Sequence, residues 1–248
     1  MRFRKLIVTA TLVASACAGF GAVAATSSDT QSKEVAQLTE KLKARYANTE
    51  FGSVRVTPMQ GIYEVTMGKN VAYTDVNGDL FLFGHIFDMK TRKELTADRI
   101  TELNKVDFSS LPLKNAIKIV KGDGSRKFAV FSDPDCPFCK KLEHSLSGVT
   151  NYTEYVFLFP IDSLHPSATV KSESIWCAKD RAASWIDALT KNVEPAAKKC
   201  ATPLPELQAL GTSLGVNGTP TLIRSDGVLM AGAGETAQIE SFISGAKK

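Results

Sequence analysis

Two cysteines spaced as Cys-x-x-Cys stand between an apolar run and a stretch of helical character, and this placement limits the folds open to the chain. The motif is Cys136-Pro137-Phe138-Cys139, and residues 127–132 before it predict a buried strand. Residues 136–146 predict a helix, so the first thiol lies at a helix N-terminus, where unpaired N–H groups and the helix dipole favour a thiolate. The second thiol lies one turn later on the same face and can attack a mixed disulfide held on the first. We therefore predict a catalytic redox centre in which Cys136 attacks and Cys139 resolves.

Two acidic residues, Asp133 and Asp135, precede the motif. Their negative charges oppose a thiolate at Cys136. Either carboxylate could instead cap the helix by accepting hydrogen bonds from its unpaired N–H groups. The sequence leaves open which of these effects is larger.

A Cys-x-x-Cys motif can also be half of a zinc site or a purely structural disulfide. Zinc ribbons usually add a second close cysteine pair, but Cys177 and Cys200 are far apart in the chain, and His144 and His165 show no ligand spacing. We therefore expect no metal and no cofactor. Cys177 and Cys200 are interpreted as a structural disulfide across a helical insert, with a second redox pair as the alternative.

The N-terminal segment has the pattern of a secretory signal peptide over residues 1–25. Residues 1–5 are basic, no charged residue occurs from Leu6 to Ser28, and small residues surround the predicted cleavage positions after Ala24 or Ala25. An uncleaved membrane anchor and a lipoprotein processed at Cys17 are the alternatives. Cleavage would leave the mature protein in an oxidising compartment, where disulfides persist.

Removal of this segment changes the charge and the cysteine count. The chain of 248 residues has 30 basic and 26 acidic side chains, a net charge of +4, and five cysteines. Cleavage removes Arg2, Arg4, Lys5 and Cys17, which leaves 27 basic against 26 acidic side chains and an even set of cysteines. The sequence has no clustered basic patch, so nucleic-acid binding is not expected.

A small N-terminal domain is predicted over residues 26–95. Residues 29–47 have helical periodicity, and residues 51–95 resemble a β-meander with a hairpin at Asn77-Gly78-Asp79. A unit with so few core positions is marginally stable alone. Burial of one face or edge against a second copy would stabilise it.

A linker and a second domain are predicted after this unit. Residues 96–115 form the candidate linker helix, which Leu111-Pro112 interrupts. Residues 116–248 follow the order strand, strand, helix, strand, a helical stretch over 166–214, then a hairpin and a helix. This is the element order of a thioredoxin-like α/β domain with a helical insert.

Three stretches resemble the DsbC/DsbG family of periplasmic thiol:disulfide interchange proteins. They are residues 130–140 around the Cys-x-x-Cys motif, residues 215–220, and residues 175–180 with the sequence Ile-Trp-Cys-Ala-Lys-Asp. The last stretch is similar to the DsbC branch, where this cysteine forms a structural disulfide with a later one. The resemblance thus implies a disulfide between Cys177 and Cys200.

The Thr219-Pro220 step precedes a predicted strand, as the cis-proline of thioredoxin-like proteins does. A cis bond there would expose the backbone of Thr219 to an extended substrate chain, so Thr219 and Pro220 are the predicted substrate-binding residues. Taken alone, a Thr-Pro bond is usually trans and only ends a loop.

The resemblance also implies an architecture and a function. It implies an α+β, cystatin-like N-terminal dimerisation domain, an α/β thioredoxin-like catalytic domain, and a V-shaped homodimer with two active sites facing an apolar cleft. It implies a periplasmic location, misfolded disulfide-bearing secreted proteins as substrates, and a membrane reductase of the DsbD type as the source of electrons. Our leading hypothesis is a disulfide isomerase and reductase that acts through a mixed disulfide on Cys136.

Two other functions stay open. The dipeptide Pro137-Phe138 departs from the Gly-Tyr typical of DsbC and is closer to the Pro-Tyr of DsbG, and these two residues tune the reduction potential. A DsbG-like reductase of oxidised single cysteines is therefore one alternative, and a dimeric holdase chaperone is another. A holdase would use exposed Phe81, Phe83 and Phe87, whereas we expect these side chains to form a packed core. The N-terminal domain argues against a dedicated oxidase like DsbA.

Overall fold

The computed structural model describes residues 23–245, with side chains described from Asp29 onward. Residues 1–22 of the predicted signal peptide lie outside the described residues. The chain divides into two compact units between Ile86 and Phe87. Within residues 23–245, no helix combines the length and the apolar content that crossing a membrane requires.

The N-terminal unit is one helix packed on an antiparallel sheet. Leu38 and Leu42 of the helix meet Val54, Tyr63 and Val65 of the sheet in a small buried cluster. The cluster is small because only one face of the helix and one face of the sheet contribute to it. The elements are α1 (Val23–Arg45), β1 (Val54–Val56), β2 (Ile62–Met67), β3 (Asn70–Asp75) and β4 (Phe81–Leu82), in the sheet order β1-β2-β3-β4.

The predicted hairpin at residues 77–79 is confirmed. The Asp75 carboxylate accepts hydrogen bonds from the backbone N–H groups of Asp79 (2.8 Å) and Leu80 (3.0 Å), which closes the turn between β3 and β4. Gly78 takes a φ of 72°, a left-handed conformation that side-chain-bearing residues rarely adopt.

The packed-core prediction for three phenylalanines is correct for one of them and wrong for two. Phe81 packs against the buried cluster of the N-terminal unit. Phe83 is 72% exposed and Phe87 is 50% exposed. The pairing of β3 with β4 ends at Leu82, so Phe83 leaves the sheet, where its ring stacks on Phe81.

The segment predicted as a linker helix over 96–115 is helical only in its first half. Helix α2 (Leu95–Leu103) ends where the Asn104 side chain donates a hydrogen bond to the Ile100 carbonyl (2.8 Å). Asp107 then caps a short 3₁₀ turn by accepting from Ser109 N–H (2.9 Å), so the chain turns instead of continuing. A short hairpin of β5 (Phe87–Asp88) and β6 (Lys93–Glu94) precedes α2 and belongs to the C-terminal unit.

The C-terminal unit is built on a five-stranded mixed sheet. Its strands are β7 (Ile117–Lys121), β8 (Arg126–Ser132), β9 (Tyr152–Leu158), β10 (Thr221–Arg224) and β11 (Leu229–Ala231), in the order β11-β10-β8-β9-β7. Strands β8 and β9 run parallel, and the other pairs are antiparallel. Two parallel neighbours need a crossover connection, and α3 (Pro137–Leu146) supplies it. Its N-terminus therefore lies where β8 ends.

The predicted helical stretch over 166–214 consists of three helices and an irregular segment. Asn192 ends the second helix in the left-handed conformation with a φ of 53°. Residues 192–203 are not helical, and Pro195 and Pro203 within them disfavour a helix. The remaining helices are α4 (Ala168–Trp176), α5 (Arg181–Lys191), α6 (Leu204–Leu214) and α7 (Thr236–Ile243).

Candidate active site

The Cys-x-x-Cys motif lies at the N-terminus of α3. Cys136 is the N-cap residue, and Pro137 occupies the first helical turn, where a missing N–H costs nothing. The Cys136 N–H donates to the Asp133 carbonyl (3.2 Å), and the Cys136 carbonyl accepts from Lys140 N–H (3.1 Å). A turn after β8 and the first turn of α3 therefore fix the backbone of the predicted attacking cysteine from both sides.

The two thiols of the motif have opposite acidities. Cys136 is 4% exposed, and its pKa falls to about 5 because the Cys139 thiol, the Thr219 side chain and the N–H groups of Cys139 and Phe138 donate hydrogen bonds to its sulfur. Cys139 is fully buried, and burial together with its hydrogen bond to Cys136 raises its pKa far above the ordinary value of a thiol. Both cysteines are free. At neutral pH one sulfur is a thiolate, and the other stays protonated.

The Thr219-Pro220 bond is cis and lies directly beside the first cysteine. The Cys136 thiol is 3.4 Å from the Thr219 carbonyl, although the residues are 83 positions apart. Strand β10 starts at Thr221, which pairs with Phe131 of β8, and this pairing carries the Thr-Pro step to the N-terminus of α3. The structure thus brings together all four residues that the sequence assigns to catalysis and substrate binding.

Neither acidic residue before the motif caps α3. Asp133 is completely buried, and its carboxylate accepts hydrogen bonds from Asp135 N–H (2.8 Å), Ile161 N–H (2.8 Å) and His165 Nδ1 (2.9 Å). The Asp135 carboxylate pairs with Lys171 at 2.7 Å. N–H groups and His165 therefore offset the negative charge of Asp133, and Lys171 offsets that of Asp135, so neither charge opposes the Cys136 thiolate in full.

His165 and Lys171 are the site residues that sequence reasoning missed. In the sequence, His165 is considered only as a zinc ligand, and Lys171 carries no recognisable motif. His165 lies in the connection between β9 and α4, 32 positions from Asp133, and Lys171 lies on α4, 36 positions from Asp135. No local pattern links residues at such separations. The contacts form only when the chain after β9 folds back onto the residues that follow β8.

The other two cysteines within residues 23–245 form a disulfide. Cys177 and Cys200 are joined with a Cα–Cα distance of 5.7 Å. Cys177 is the C-cap residue of α4, and Cys200 lies in the irregular segment before α6. The disulfide therefore links the irregular segment 192–203 to the C-terminal end of α4. Within residues 23–245, no group of three or more potential ligand side chains is arranged to hold a metal ion.

Two family models match the chain, one for each unit. The model described as Thioredoxin-like domain matches residues 113–246. The model described as Disulfide bond isomerase protein N-terminal domain matches residues 23–97. These matches confirm the predicted fold class, an α+β N-terminal domain followed by a thioredoxin-like α/β domain.

The chain is similar to thiol:disulfide interchange proteins of several bacteria. It is 39% identical to a probable thiol:disulfide interchange protein DsbC of Bordetella pertussis over 82% of this chain and 71% of that protein. It is 26% identical to the DsbC of Escherichia coli K12 over 77% of this chain and 80% of that protein. A crystal structure of a disulfide interchange protein from Neisseria gonorrhoeae matches with a TM-score of 0.53 and 44% identity, over 54% of this chain and 97% of that one. The chain belongs to the DsbC/DsbG family of thiol:disulfide interchange proteins.

Proposed function

We propose that the protein is a periplasmic disulfide isomerase and reductase that rearranges incorrect disulfides in secreted proteins through a mixed disulfide on Cys136. The asymmetry of the thiol pair carries this proposal. Cys136 has a pKa of about 5 and is ionised at neutral pH, whereas the raised pKa of buried Cys139 keeps that thiol protonated. In such a pair the Cys136 thiolate attacks the substrate, and Cys139 stays protonated until it resolves the mixed disulfide.

The proposed reaction begins with attack of the Cys136 thiolate on one sulfur of a substrate disulfide. A bond forms between Cys136 and that sulfur, the substrate disulfide breaks, and the second substrate sulfur leaves as a thiolate. In isomerisation, another substrate thiolate attacks the substrate sulfur of the mixed disulfide and releases the Cys136 thiolate. In reduction, Cys139 loses its proton and attacks the Cys136 sulfur, which releases the substrate thiol and leaves a Cys136–Cys139 disulfide.

Reduction consumes the dithiol, so a donor of two electrons must restore it. We assign this role to a membrane reductase of the DsbD type. The test is a pull-down with a Cys139→Ala variant in a bacterial envelope extract. There the Cys136 thiolate would attack the disulfide of the oxidised reductase and bond to one of its sulfurs, while the other sulfur leaves as a thiolate. Loss of the trapped species in a Cys136→Ala control identifies the sulfur involved. Absence of any reductase among the trapped proteins contradicts this partner.

Thr219 and Pro220 are the proposed binding residues for the substrate backbone. The Thr219 carbonyl lies 3.4 Å from the attacking sulfur. An extended substrate chain that pairs with the backbone at Thr219 would therefore carry its own sulfur to Cys136. Phe138 is 61% exposed within the motif and offers an apolar surface to the same chain.

The proposed homodimer forms through the N-terminal unit. Its buried cluster is small, and β1 is an edge strand whose Val56 is 46% exposed. A second copy placed against such an edge would bury apolar surface and satisfy unpaired backbone groups. Light scattering of the full mature chain should give a dimer, and removal of residues 26–95 should give a monomer. A monomeric full-length protein contradicts this proposal.

The proposed location requires cleavage of the signal peptide. N-terminal sequencing of the protein from a periplasmic extract should give a chain that starts after Ala24 or Ala25. A mature protein that retains residues 1–25 contradicts secretion by this route.

Refolding of scrambled ribonuclease tests the activity itself. We expect Cys136→Ala to abolish isomerisation, because no other sulfur is both ionised and placed beside Thr219. Cys139→Ala should retain isomerisation and accumulate mixed disulfides, because Cys139 can no longer attack the Cys136 sulfur and release the substrate. His144→Ala, at an exposed position on α3, is the matched control and should refold ribonuclease like the wild type. Full activity in Cys136→Ala would refute the proposed function.

A holdase activity is the second candidate, and one observation favours it. Leu80, Leu82 and Phe83 of the N-terminal unit are 74%, 59% and 72% exposed. An exposed apolar patch of this kind commonly marks an interaction surface. Suppression of aggregation of a cysteine-free client by the Cys136→Ala, Cys139→Ala double variant would show binding that is independent of exchange. Loss of suppression in Leu82→Ser, Phe83→Ser would assign it to this patch.

A further inference from the structure

A single buried residue, Asp133, connects an imidazole to both cysteines of the active site. The side chain of Asp133 accepts a hydrogen bond from His165 Nδ1 (2.9 Å). Its backbone N–H points at Cys139 Sγ (3.4 Å), and its carbonyl accepts from Cys136 N–H (3.2 Å). Because Asp133 is completely buried, its position defines the position of every group bonded to it.

The imidazole of His165 is held in one orientation but is not sealed from solvent. Its backbone N–H donates to the Ile161 carbonyl (2.9 Å), and Ile161 N–H donates to the same Asp133 oxygen as the imidazole does. The His165 side chain is 19% exposed, so it can exchange protons with water. The hydrogen bond from Nδ1 leaves Nε2 as the nitrogen that gains or loses the proton.

The charges around His165 favour its protonated form. The hydrogen bond to Asp133 contributes most to a raised pKa of the imidazole, and the charges of Cys136 and Asp135 act in the same direction. Asp135 is itself paired with Lys171 at 2.7 Å, which offsets part of its charge. His165 is thus linked to Cys136 through one residue, since the Asp133 side chain bonds the imidazole and the Asp133 carbonyl accepts from Cys136 N–H. A protonated imidazole held in this way acts on the thiolate through its charge and not through a direct hydrogen bond.

We propose that His165, held by Asp133, is a positioning residue whose imidazolium charge stabilises the thiolate of Cys136. The proposal rests on the assignment of Cys136 as the attacking sulfur. Stabilisation acts twice, because Cys136 is a thiolate when it attacks a substrate disulfide and again when it leaves the mixed disulfide during isomerisation. Asp133 stabilises the thiolate indirectly, because its carboxylate orients the His165 imidazole and favours the protonated, positively charged form of that ring.

The first test measures the pH dependence of Cys136 alkylation by iodoacetamide in the full-length protein. His165→Asn keeps a side-chain N–H near the position of Nδ1 but removes the charge. His144→Asn removes an exposed imidazole from α3 and is the matched control. We expect the apparent Cys136 pKa to rise by about 0.5 to 1 in His165→Asn. At a pH below the Cys136 pKa, alkylation should be about three- to tenfold slower in His165→Asn than in the wild type, because a smaller fraction of Cys136 is ionised. An unchanged profile in folded His165→Asn would overturn the proposal.

The second test does not depend on the stability of a His165 variant. The pKa of His165 is measured by NMR in the reduced wild type and in Cys136→Ser, which has no thiolate. Coupling between two titrating groups is reciprocal, so the imidazole pKa should fall by about the amount by which the Cys136 pKa rises in His165→Asn. The same His165 pKa in both proteins would overturn the proposal.

These outcomes separate the inference from the proposed function. If Cys136→Ala abolishes isomerisation but His165→Asn leaves the alkylation profile unchanged, the function stands and the role of His165 fails. If Cys136→Ala stays active, the function fails, whereas the coupling between His165 and Cys136 is still decided by the two titrations.

Discussion

The two cysteine pairs lie at opposite ends of helices, and their chemistry differs accordingly. Cys136 is the N-cap residue of α3 and is a free thiol with a pKa of about 5. Cys177 is the C-cap residue of α4 and is bonded to Cys200. Unpaired N–H groups at a helix N-terminus stabilise a thiolate, whereas the carbonyl end of a helix offers no such donors. The local backbone therefore favours thiol–disulfide exchange at Cys136 and Cys139, whereas the Cys177–Cys200 disulfide links two segments of the fold.

The largest expected difference between the pairs is their reducibility. A stable thiolate is a good leaving group, so an oxidised Cys136–Cys139 pair should react quickly with glutathione. The Cys177–Cys200 disulfide lacks this feature. We expect the active-site disulfide to open at least about tenfold faster, as measured by alkylation of trapped thiols and mass spectrometry of peptides. Faster opening of Cys177–Cys200 would break the comparison.

Removal of each pair in turn should separate stability from activity. The double variant Cys177→Ala, Cys200→Ala should lose about 3.4 kcal/mol of unfolding free energy in urea, since the bond closes a loop of about 24 residues in the unfolded chain. Its folded fraction should keep isomerase activity. The matched double variant Cys136→Ala, Cys139→Ala should lose activity with a smaller loss of stability. Equal stability of the wild type and the Cys177→Ala, Cys200→Ala protein contradicts a structural role.

The sequence predicts the redox pair well because its determinants are local. An apolar strand, two cysteines at a spacing of three, and a proline in the first helical turn are all read within about 20 residues of the chain. The same reasoning fails for His165, since its bond to Asp133 spans 32 positions and forms only when the connection after β9 folds back. It also fails for Phe83, because the apolar run around it resembles a buried strand, whereas β4 ends at Leu82 and leaves the Phe83 side chain exposed.

The end of α2 gives a second physical reason for such differences. Residues 96–110 favour a helix in isolation, but Val106 N–H donates to the Gly227 carbonyl (2.9 Å) in the turn between β10 and β11. This tertiary hydrogen bond replaces one that a longer helix would make. A local pattern cannot anticipate the exchange, because its partner lies more than 100 residues later in the chain.

A buried carboxyl pair lies between the redox helix and the helical insert. Glu143 of α3 accepts a hydrogen bond from Trp185 Nε1 of α5 (2.8 Å). Glu143 interacts electrostatically with Glu154 of β9, and neither oxygen of the Glu154 carboxyl has a hydrogen-bond partner among the described side chains and backbone. Burial raises the pKa of Glu143 to about 7 and raises that of Glu154 well above its ordinary value. The stability of the C-terminal unit should therefore depend on pH.

Stability should fall as pH rises through this pair. A folded-state pKa above the unfolded value favours the protonated fold, so the stabilisation is complete below about pH 4.5 and is lost as pH rises through about 7. Glu154→Gln mimics the protonated acid and should raise the unfolding free energy at pH 8, because it removes the negative charge that burial disfavours. The wild type and this variant should converge near pH 4.5.

Thermal denaturation at a series of pH values measures this effect. Glu50→Gln, at an exposed position of the N-terminal unit, is the control for loss of one negative charge. Its stability should follow that of the wild type at every pH. A parallel pH dependence in Glu154→Gln and the wild type would show that the carboxyl pair does not carry the effect.

The smallest expected effect tests how much of the Cys136 acidity comes from outside α3. Thr219 contributes a side-chain hydrogen bond that lowers the Cys136 pKa, after the larger contribution from Cys139. Thr219→Val removes this donor and keeps the shape and the backbone carbonyl, so the Cys136 pKa should rise by about 0.5, equivalent to one ordinary hydrogen bond. Thr219→Ser should restore it, and Thr212→Val on the exposed face of α6 should leave it unchanged. If the alkylation profile of Thr219→Val matches the wild type, Thr219 does not contribute to the acidity of Cys136, and the contrast between the two cysteine pairs does not depend on the loop before β10.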